Sequence, residues 1–203
     1  RLNSQTSPAL AYAVAPSTPP VFVPNSKQQA KYLKSANKNF NEKLFADAII
    51  DYEKALEGDE KNKTILTNLC ECYRLTNNVK GQLKCYDALL NLENPDPIYN
   101  LYYGEALMEN GEREKAKTYF EKYNSDARGK ELASSINKLK SYSRNADAYS
   151  VNEVSFNSSE DDFCAVKFFD NVVFSSNRKR NAWIKREHGW TNGNYLQSYS
   201  TSK

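Results

Sequence analysis

The chain has 203 residues, a net charge of +3 and 39% hydrophobic residues, which is enough for one or two globular domains with their own cores. A net charge this small excludes a global preference for nucleic acid or a membrane surface. No run of about eighteen apolar residues occurs, so the sequence predicts no membrane-spanning helix. Because the chain starts at Arg1, we expect a processed or truncated product whose secretory signal, if it had one, has been removed.

Residues 1–27 are predicted to form an extended tail. Five of the seven prolines lie in residues 1–24, where charge is almost absent, so neither a helix nor a core is expected there. Alone in water such a tail is mobile, and a partner chain or a groove would be needed to order it. We therefore expect the apolar stretch "PVFVP" to bind a partner, with Val21, Phe22 and Val23 as the anchors.

Residues 28–145 are predicted to be helical and carry a repeat of 34 residues. Three sets of small or aromatic positions keep this spacing: Ala36, Cys70 and Gly104; Ala48, Gln82 and Ala116; Tyr52, Tyr86 and Phe120. This spacing is that of the tetratricopeptide repeat, a helix-turn-helix unit. The sequence resembles that family at these positions. The predicted fold class is mostly α, a tetratricopeptide-repeat solenoid of three repeats.

The third repeat is predicted to turn at Gly111 and to be followed by a capping helix over residues 125–144. In that helix Leu132, Ile136 and Leu139 form an apolar stripe that can cover the open end of the array. The middle repeat departs from the pattern, since it has Cys70 and Gln82 at positions for small residues.

The four cysteines, Cys70, Cys72, Cys85 and Cys164, show no spacing typical of a zinc site, and His188 is far from all of them. Burial as small apolar residues is favoured over a disulfide or a redox role. Nucleophile, phosphate-loop and dinucleotide motifs are absent as well. We expect a non-catalytic protein without metal or cofactor.

Residues 146–203 change to an extended pattern. "FCAVKFF" and "VVFSS" are predicted to be strands joined by a turn at Asp170 and Asn171, and a further strand "YLQSYS" follows a turn in "TNGN". These strands are too few to close a barrel or a sandwich. They are interpreted as the beginning of a larger β domain.

The stretch "SSNRKRNAWIKREHGW" combines basic and aromatic residues, as single-stranded nucleic-acid binders do. Residues 151–203, however, contain seven Lys and Arg against six Asp and Glu, so no sustained positive field is expected. Nucleic-acid binding remains the weaker alternative. Trp183 and Trp190 are expected to pack against the sheet or the preceding helices.

A peptide-binding groove is predicted on the first helices of the repeats. Tetratricopeptide proteins that grip a C-terminal carboxylate use Lys, Arg and Asn there, but here Leu33, Ile98 and Tyr102 replace the cations, and only Asn37 and Asn68 fit. Capture of a carboxylate is therefore not expected. The predicted groove is instead mixed, with the lining residues Leu33, Asn37, Phe40, Thr67, Glu71, Arg74, Leu101, Glu105 and Met108. Such a groove could bind a segment of protein, as in a general peptide-binding adaptor, or merely be surface.

The extended segment also resembles the entry into the WD-repeat-like β-propeller of Bacteroidetes OmpA-family envelope proteins, the PorE-like group associated with type IX secretion and gliding. The residues that carry this resemblance are Asp162, Phe163, Val173, Phe174, Ser175, Ser176, Arg178, Lys185, Arg186, His188, Trp190, Tyr195 and Tyr199. The resemblance implies a truncated propeller after the repeats. It also implies a periplasmic, outer-membrane-associated scaffold that contacts a β-barrel of the PorP/SprF type. Peptidoglycan would be bound by an OmpA-like domain that this chain lacks.

Overall fold

A computed structural model describes residues 26–142, 144–179 and 187–201 of the chain. Its N-terminal part consists of seven helices that pack on one another in chain order. Their bounds are α1 Ser26–Asn41, α2 Phe45–Leu56, α3 Lys63–Leu75, α4 Val79–Leu90, α5 Ile98–Glu109, α6 Arg113–Lys122 and α7 Ala127–Tyr142. Among the described residues, no helix is long and apolar enough to cross a membrane.

The helices form three consecutive pairs followed by a seventh helix, a helical-repeat arrangement of the tetratricopeptide type. All nine residues of the three sets spaced by 34 are buried. In the third pair Gly104 faces Phe120 so closely that a Cβ atom would lie 2.5 Å from the ring. Ala36 and Cys70 hold the equivalent place in the other pairs. The period predicted from sequence thus marks the closest approach of the two helices in each repeat.

The turns and the end of the array also follow local sequence. Gly111, between α5 and α6, has φ +83°, a conformation that side chains other than glycine rarely adopt. Asn62 and Asn78 cap α3 and α4 by accepting hydrogen bonds from the amides of Ile65 and Gly81. The predicted capping helix is α7, which buries Ile136 of its apolar stripe against the array.

The C-terminal part is a small antiparallel sheet. After one 3-10 turn at Ala146–Ala148, the strands are β1 Asp162–Phe168, β2 Asn171–Ser176, β3 Glu187–His188, β4 Gly193–Asn194 and β5 Gln197–Ser200. One sheet has the order β1-β2-β5, and β3 pairs with β4 in a separate two-stranded ribbon.

Two turns predicted from sequence are displaced. The turn between β1 and β2 is Phe169 and Asp170, with Phe168 opposite Asn171, one residue earlier than predicted. Phe169 takes the positive φ of +49° that the sequence had indicated for Asp or Asn. The end of "TNGN" belongs to β4, and the turn before it lies at residues 189–192.

Candidate functional site

The first helices of the repeats carry polar side chains on an exposed face. Hydrogen bonds to a buried tyrosine hold two of these side chains in place. The hydroxyl of buried Tyr52 donates to Oδ1 of Asn37 at 2.7 Å and accepts from Nδ2 of Asn68 at 3.1 Å. Tyr52 belongs to α2, whereas the two asparagines belong to α1 and α3. Burial raises the pKa of the Tyr52 phenol, which therefore stays neutral. The two amides are thus held next to each other on the surface of neighbouring repeats.

An ion pair marks the centre of this face. Arg74 donates from Nε and one Nη to the two carboxylate oxygens of Glu71, at 2.9 and 2.7 Å. Its guanidinium also lies 5.5 Å from the centre of the Tyr102 ring. On the same two helices the hydroxyls of Thr67 and Tyr99 are hydrogen-bonded at 3.2 Å. Side chains of α3 and α5 therefore form one continuous surface.

Glu105 is the carboxylate next to this ion pair. Burial raises its pKa, while the positive charges of Arg74 and Arg128 act in the opposite direction. Arg128 at the start of α7 is itself held by Asp126 and by the hydroxyl of Tyr123. Arg74 and Arg128 are thus both paired with carboxylates of the same chain, and together with the tyrosine rings they form a surface of mixed charge.

The structure places most of the predicted groove residues on this face, with one correction. Leu101 is only 1% exposed and belongs to the core, because its side chain turns toward the neighbouring helices. Phe40, Leu33 and Met108 are half-buried at the margin of the core. Sequence reasoning missed Tyr99, Arg128 and the tyrosine ring contacts behind the face. The tyrosines of "IYNLYY" were the available signal, since residues three apart share a helix face.

The predicted tail anchors Val21, Phe22 and Val23 lie outside the described residues, and so do Lys185 and Arg186 of the propeller-like motif. The contact proposed for the tail therefore stays a prediction.

The interpretation of the cysteines as unpaired residues is wrong for two of them. Cys70 and Cys85 form a disulfide between α3 and α4, with their Cα atoms 5.5 Å apart. Cys72 is a free, buried thiol whose pKa burial raises to about 12, so it is not reactive at neutral pH. Cys164 is free and exposed. No cysteine spacing could reveal the pair, because the partners become neighbours only when α4 packs on α3.

The propeller-like motif of the C-terminal part forms a hydrogen-bonded network. Arg178 donates to Oδ1 of Asp162 at 2.7 Å, to Oγ of Ser176 at 3.0 Å and to the carbonyl oxygen of Phe156 at 2.8 Å. Its guanidinium lies over the rings of Phe174 and Tyr199, which line the same side of the sheet, at 4.8 and 5.0 Å from their centres. These spaced motif residues thus join β1, β2 and β5 around one half-buried cation.

The aromatic residues of the basic run also have structural roles where the structure describes them. Trp190 packs against Phe45 of α2, as expected for a ring that lies on the preceding helices. His188 lies edge-on to Tyr195 with the ring centres 5.4 Å apart. Asp162, at the end of an acidic stretch, pairs with Arg178 of the basic one. Trp183 lies outside the described residues, so its predicted packing stays a prediction.

Among the described residues, no group of three or more His, Cys, Asp or Glu side chains could hold a metal ion. No protein-family model and no curated protein matches the sequence.

The solved structures that are similar to part of the chain include the following two. One is the first TPR of Spaghetti (RPAP3) bound to the HSP90 peptide SRMEEVD, at 17% identity and a TM-score of 0.48, over 59% of this chain and 98% of that one. The other is the Yersinia enterocolitica type III secretion translocator chaperone SycD, at 15% identity and a TM-score of 0.40, over 58% of this chain and 90% of that one. The repeats are therefore defined by the spacing and burial within this chain.

Proposed function

We propose that the protein is a non-catalytic adaptor that binds a segment of another protein on the first helices of its repeats. The observation that carries this proposal is the ion pair of Arg74 with Glu71 against the ring of Tyr102, beside the carboxylate of Glu105. A surface of aromatic rings and internally paired charges offers a complementary shape and hydrogen bonds, and its central cation Arg74 is already paired with Glu71. Several weak contacts on a rigid face suit a scaffold.

The partner we propose is an outer-membrane β-barrel of the PorP/SprF type, which places the protein in the periplasm. The disulfide between Cys70 and Cys85 supports this compartment, since such bonds persist in oxidising surroundings and are rare in the cytosol. Peptidoglycan would be reached through further domains of the PorE-like type.

The small sheet is proposed to be the first part of a β-propeller. Phe163, Val166 and Phe168 of β1 are opposite Ser175, Val173 and Asn171 of β2, and so share one face of the sheet. The three β1 side chains are 43%, 63% and 59% exposed, although they are large and apolar. A second sheet stacked on this face, as in a propeller, would bury them.

Co-purification tests the proposed partner and face. The tagged chain would be mixed with a detergent extract of outer membranes and probed for the PorP/SprF-type barrel. We expect recovery of the barrel, reduced about tenfold by Arg74→Ala combined with Glu105→Lys, because removing such contacts weakens binding by about 1.4 kcal/mol or more. Glu114→Lys on α6 is the control and should leave recovery unchanged.

Removal of residues 1–24 should also weaken recovery if the tail is a second contact. Equal recovery with all of these variants would disprove the proposed face and the proposed tail contact. If another protein were recovered in place of the barrel, and only with an intact face, the general peptide-binding adaptor would be correct.

A further inference from the structure

A cavity of about 480 Å³ opens between α2, α3 and α4, on a different side of α3 from the proposed binding face. Apolar residues contribute much of its lining: Leu56, Leu66, Leu69, Cys85 and Ala88. The α2 side contributes three carboxylates, Glu53, Glu57 and Glu60, and α4 contributes the single cation Lys84. The cavity is therefore apolar at its base and mostly acidic at its rim.

The cavity exists because two positions of the middle repeat carry smaller side chains than those of the next repeat. Leu69 and Cys85 lie 34 residues before Tyr103 and Tyr119. In the third repeat these two tyrosine rings pack edge to face with their centres 4.6 Å apart. Leucine and a disulfide-bonded cysteine fill less of the same space.

In the third repeat, lysine side chains lie over the two tyrosine rings that correspond to Leu69 and Cys85. Lys122 holds its Nζ 4.3 Å above the ring of Tyr119, and Lys115 holds its Nζ 6.0 Å above that of Tyr103. The residues 34 positions earlier are Ala88 and Gly81, which have no side chain that could do the same. Lysines of the third repeat thus occupy the space that is equivalent to the cavity, which stays open in the middle repeat.

The acidic side of the cavity is only partly repeated in the next repeat, where Glu53 corresponds to Asp87 but the other two glutamates have no acidic counterpart. Glu57 and Glu60 correspond to Asn91 and Asn94, which are neutral. Glu53 is positioned by a hydrogen bond from the hydroxyl of Tyr73. Within the part of the chain that the structure describes, the three glutamates form no ion pair with a cation. Their negative charge is therefore available to a guest.

We propose that this cavity is a second protein-binding site, which takes a lysine or arginine side chain from a basic, extended segment of a partner protein. The aliphatic stem packs on the apolar base formed by Leu56, Leu69 and Ala88, and the cationic head lies among Glu53, Glu57 and Glu60. This division between an apolar stem and a charged head is how long basic side chains bury in other proteins. This site is separate from the binding face proposed on the first helices of the repeats.

The test uses the whole chain and a short fluorescein-labelled peptide of alternating lysine and serine, with a glutamate and serine peptide as the matched negative probe. Fluorescence anisotropy should show saturable binding of the basic peptide alone. Glu57→Lys combined with Glu60→Lys should weaken this binding about tenfold or more, which corresponds to at least about 1.4 kcal/mol. Glu114→Lys combined with Glu131→Lys makes the same change in net charge away from the cavity and should preserve it.

A second variant separates occupation of the cavity from a general loss of negative charge. Ala88→Lys gives the middle repeat the lysine that the third repeat has at Lys122, so the chain's own side chain should occupy the site and exclude the peptide. Methyl resonances of Leu56 and Ala88 should shift in the wild-type complex. The assignment would be overturned if Glu57→Lys combined with Glu60→Lys still bound the peptide, or if the control lost binding equally. It would also be overturned if the peptide shifted only resonances of the binding face on the first helices.

Discussion

The indole ring of Trp190 lies edge-on against the ring of Phe45, with the ring centres 5.2 Å apart and the planes at 76°. The amide of Ala46 donates to the carbonyl oxygen of Trp190 at 3.0 Å, and the side-chain amide of Asn192 donates to Asp47 at 3.0 Å. No side chain caps the N-terminus of α2, so this C-terminal segment supplies the missing acceptor. The contact joins parts of the chain 145 residues apart and attaches the β segment to the first repeat.

Replacement of Trp190 by alanine should therefore destabilise the first repeat as well as the β segment. We expect a decrease of about 1–2 kcal/mol in the free energy of unfolding, less than for a fully buried tryptophan because 38% of the side chain is exposed. Urea unfolding followed by circular dichroism measures this change. Leu196→Ala, in the same segment and 56% exposed, is the control and should change stability little. Equal effects of the two substitutions would show that the contact does not stabilise the protein.

The disulfide should make a large contribution to stability in the middle repeat. It closes a loop with a sequence separation of 15 residues, for which the chain-entropy estimate is about 3 kcal/mol. Dithiothreitol should thus lower the urea midpoint of the wild type, and it should have no effect on Cys70→Ser combined with Cys85→Ser. Cys164→Ser keeps the disulfide and should respond to dithiothreitol as the wild type does.

A count of thiols gives an independent check of the same bond. The oxidised, denatured protein should react at Cys72 and Cys164 only, and all four cysteines should react after reduction. Four reactive thiols in the untreated protein would disprove the pairing.

The closest helix approach in the third repeat should not tolerate a methyl group. In Gly104→Ala the new Cβ atom would lie 2.5 Å from the Phe120 ring, so the ring or the helix must move, at a cost of about 1–3 kcal/mol. Thermal unfolding measures the loss. Phe120→Leu removes the clash and should make Gly104→Ala less costly in a double-mutant cycle. Additive effects of the two changes would show that the ring does not limit this position.

The repeats could be predicted from the sequence because each repeat places small and aromatic residues at the same spacing, as Ala36, Cys70 and Gly104 do. The burial of Leu101 could not be predicted from the sequence, since it depends on the rotation of α5 relative to the neighbouring helices. The contact of Trp190 with Phe45 was equally hidden, because no local pattern shows which distant surface a loop will meet. The displaced turn at Phe169 follows from a register that tertiary contacts of β2 with β5 help to fix.

The sheet should lose stability in acid through Asp162. Hydrogen bonds from Ser176 and Arg178, together with the amide of Ser158, hold the pKa of this carboxyl well below its ordinary value of about 4. The charged form therefore stabilises the fold above that pH, and this contribution disappears as the pH falls below it toward the folded-state pKa.

Hydrogen exchange of the β1 and β2 amides between pH 6 and pH 2, corrected for the intrinsic exchange rate at each pH, measures this effect. In the wild type the protection should decrease as the pH is lowered. The decrease should be much smaller in Asp162→Asn, which lacks the titrating group, whereas Glu160→Gln should behave like the wild type. An identical pH profile in all three proteins would mean that the network around Arg178 does not depend on the charge of Asp162.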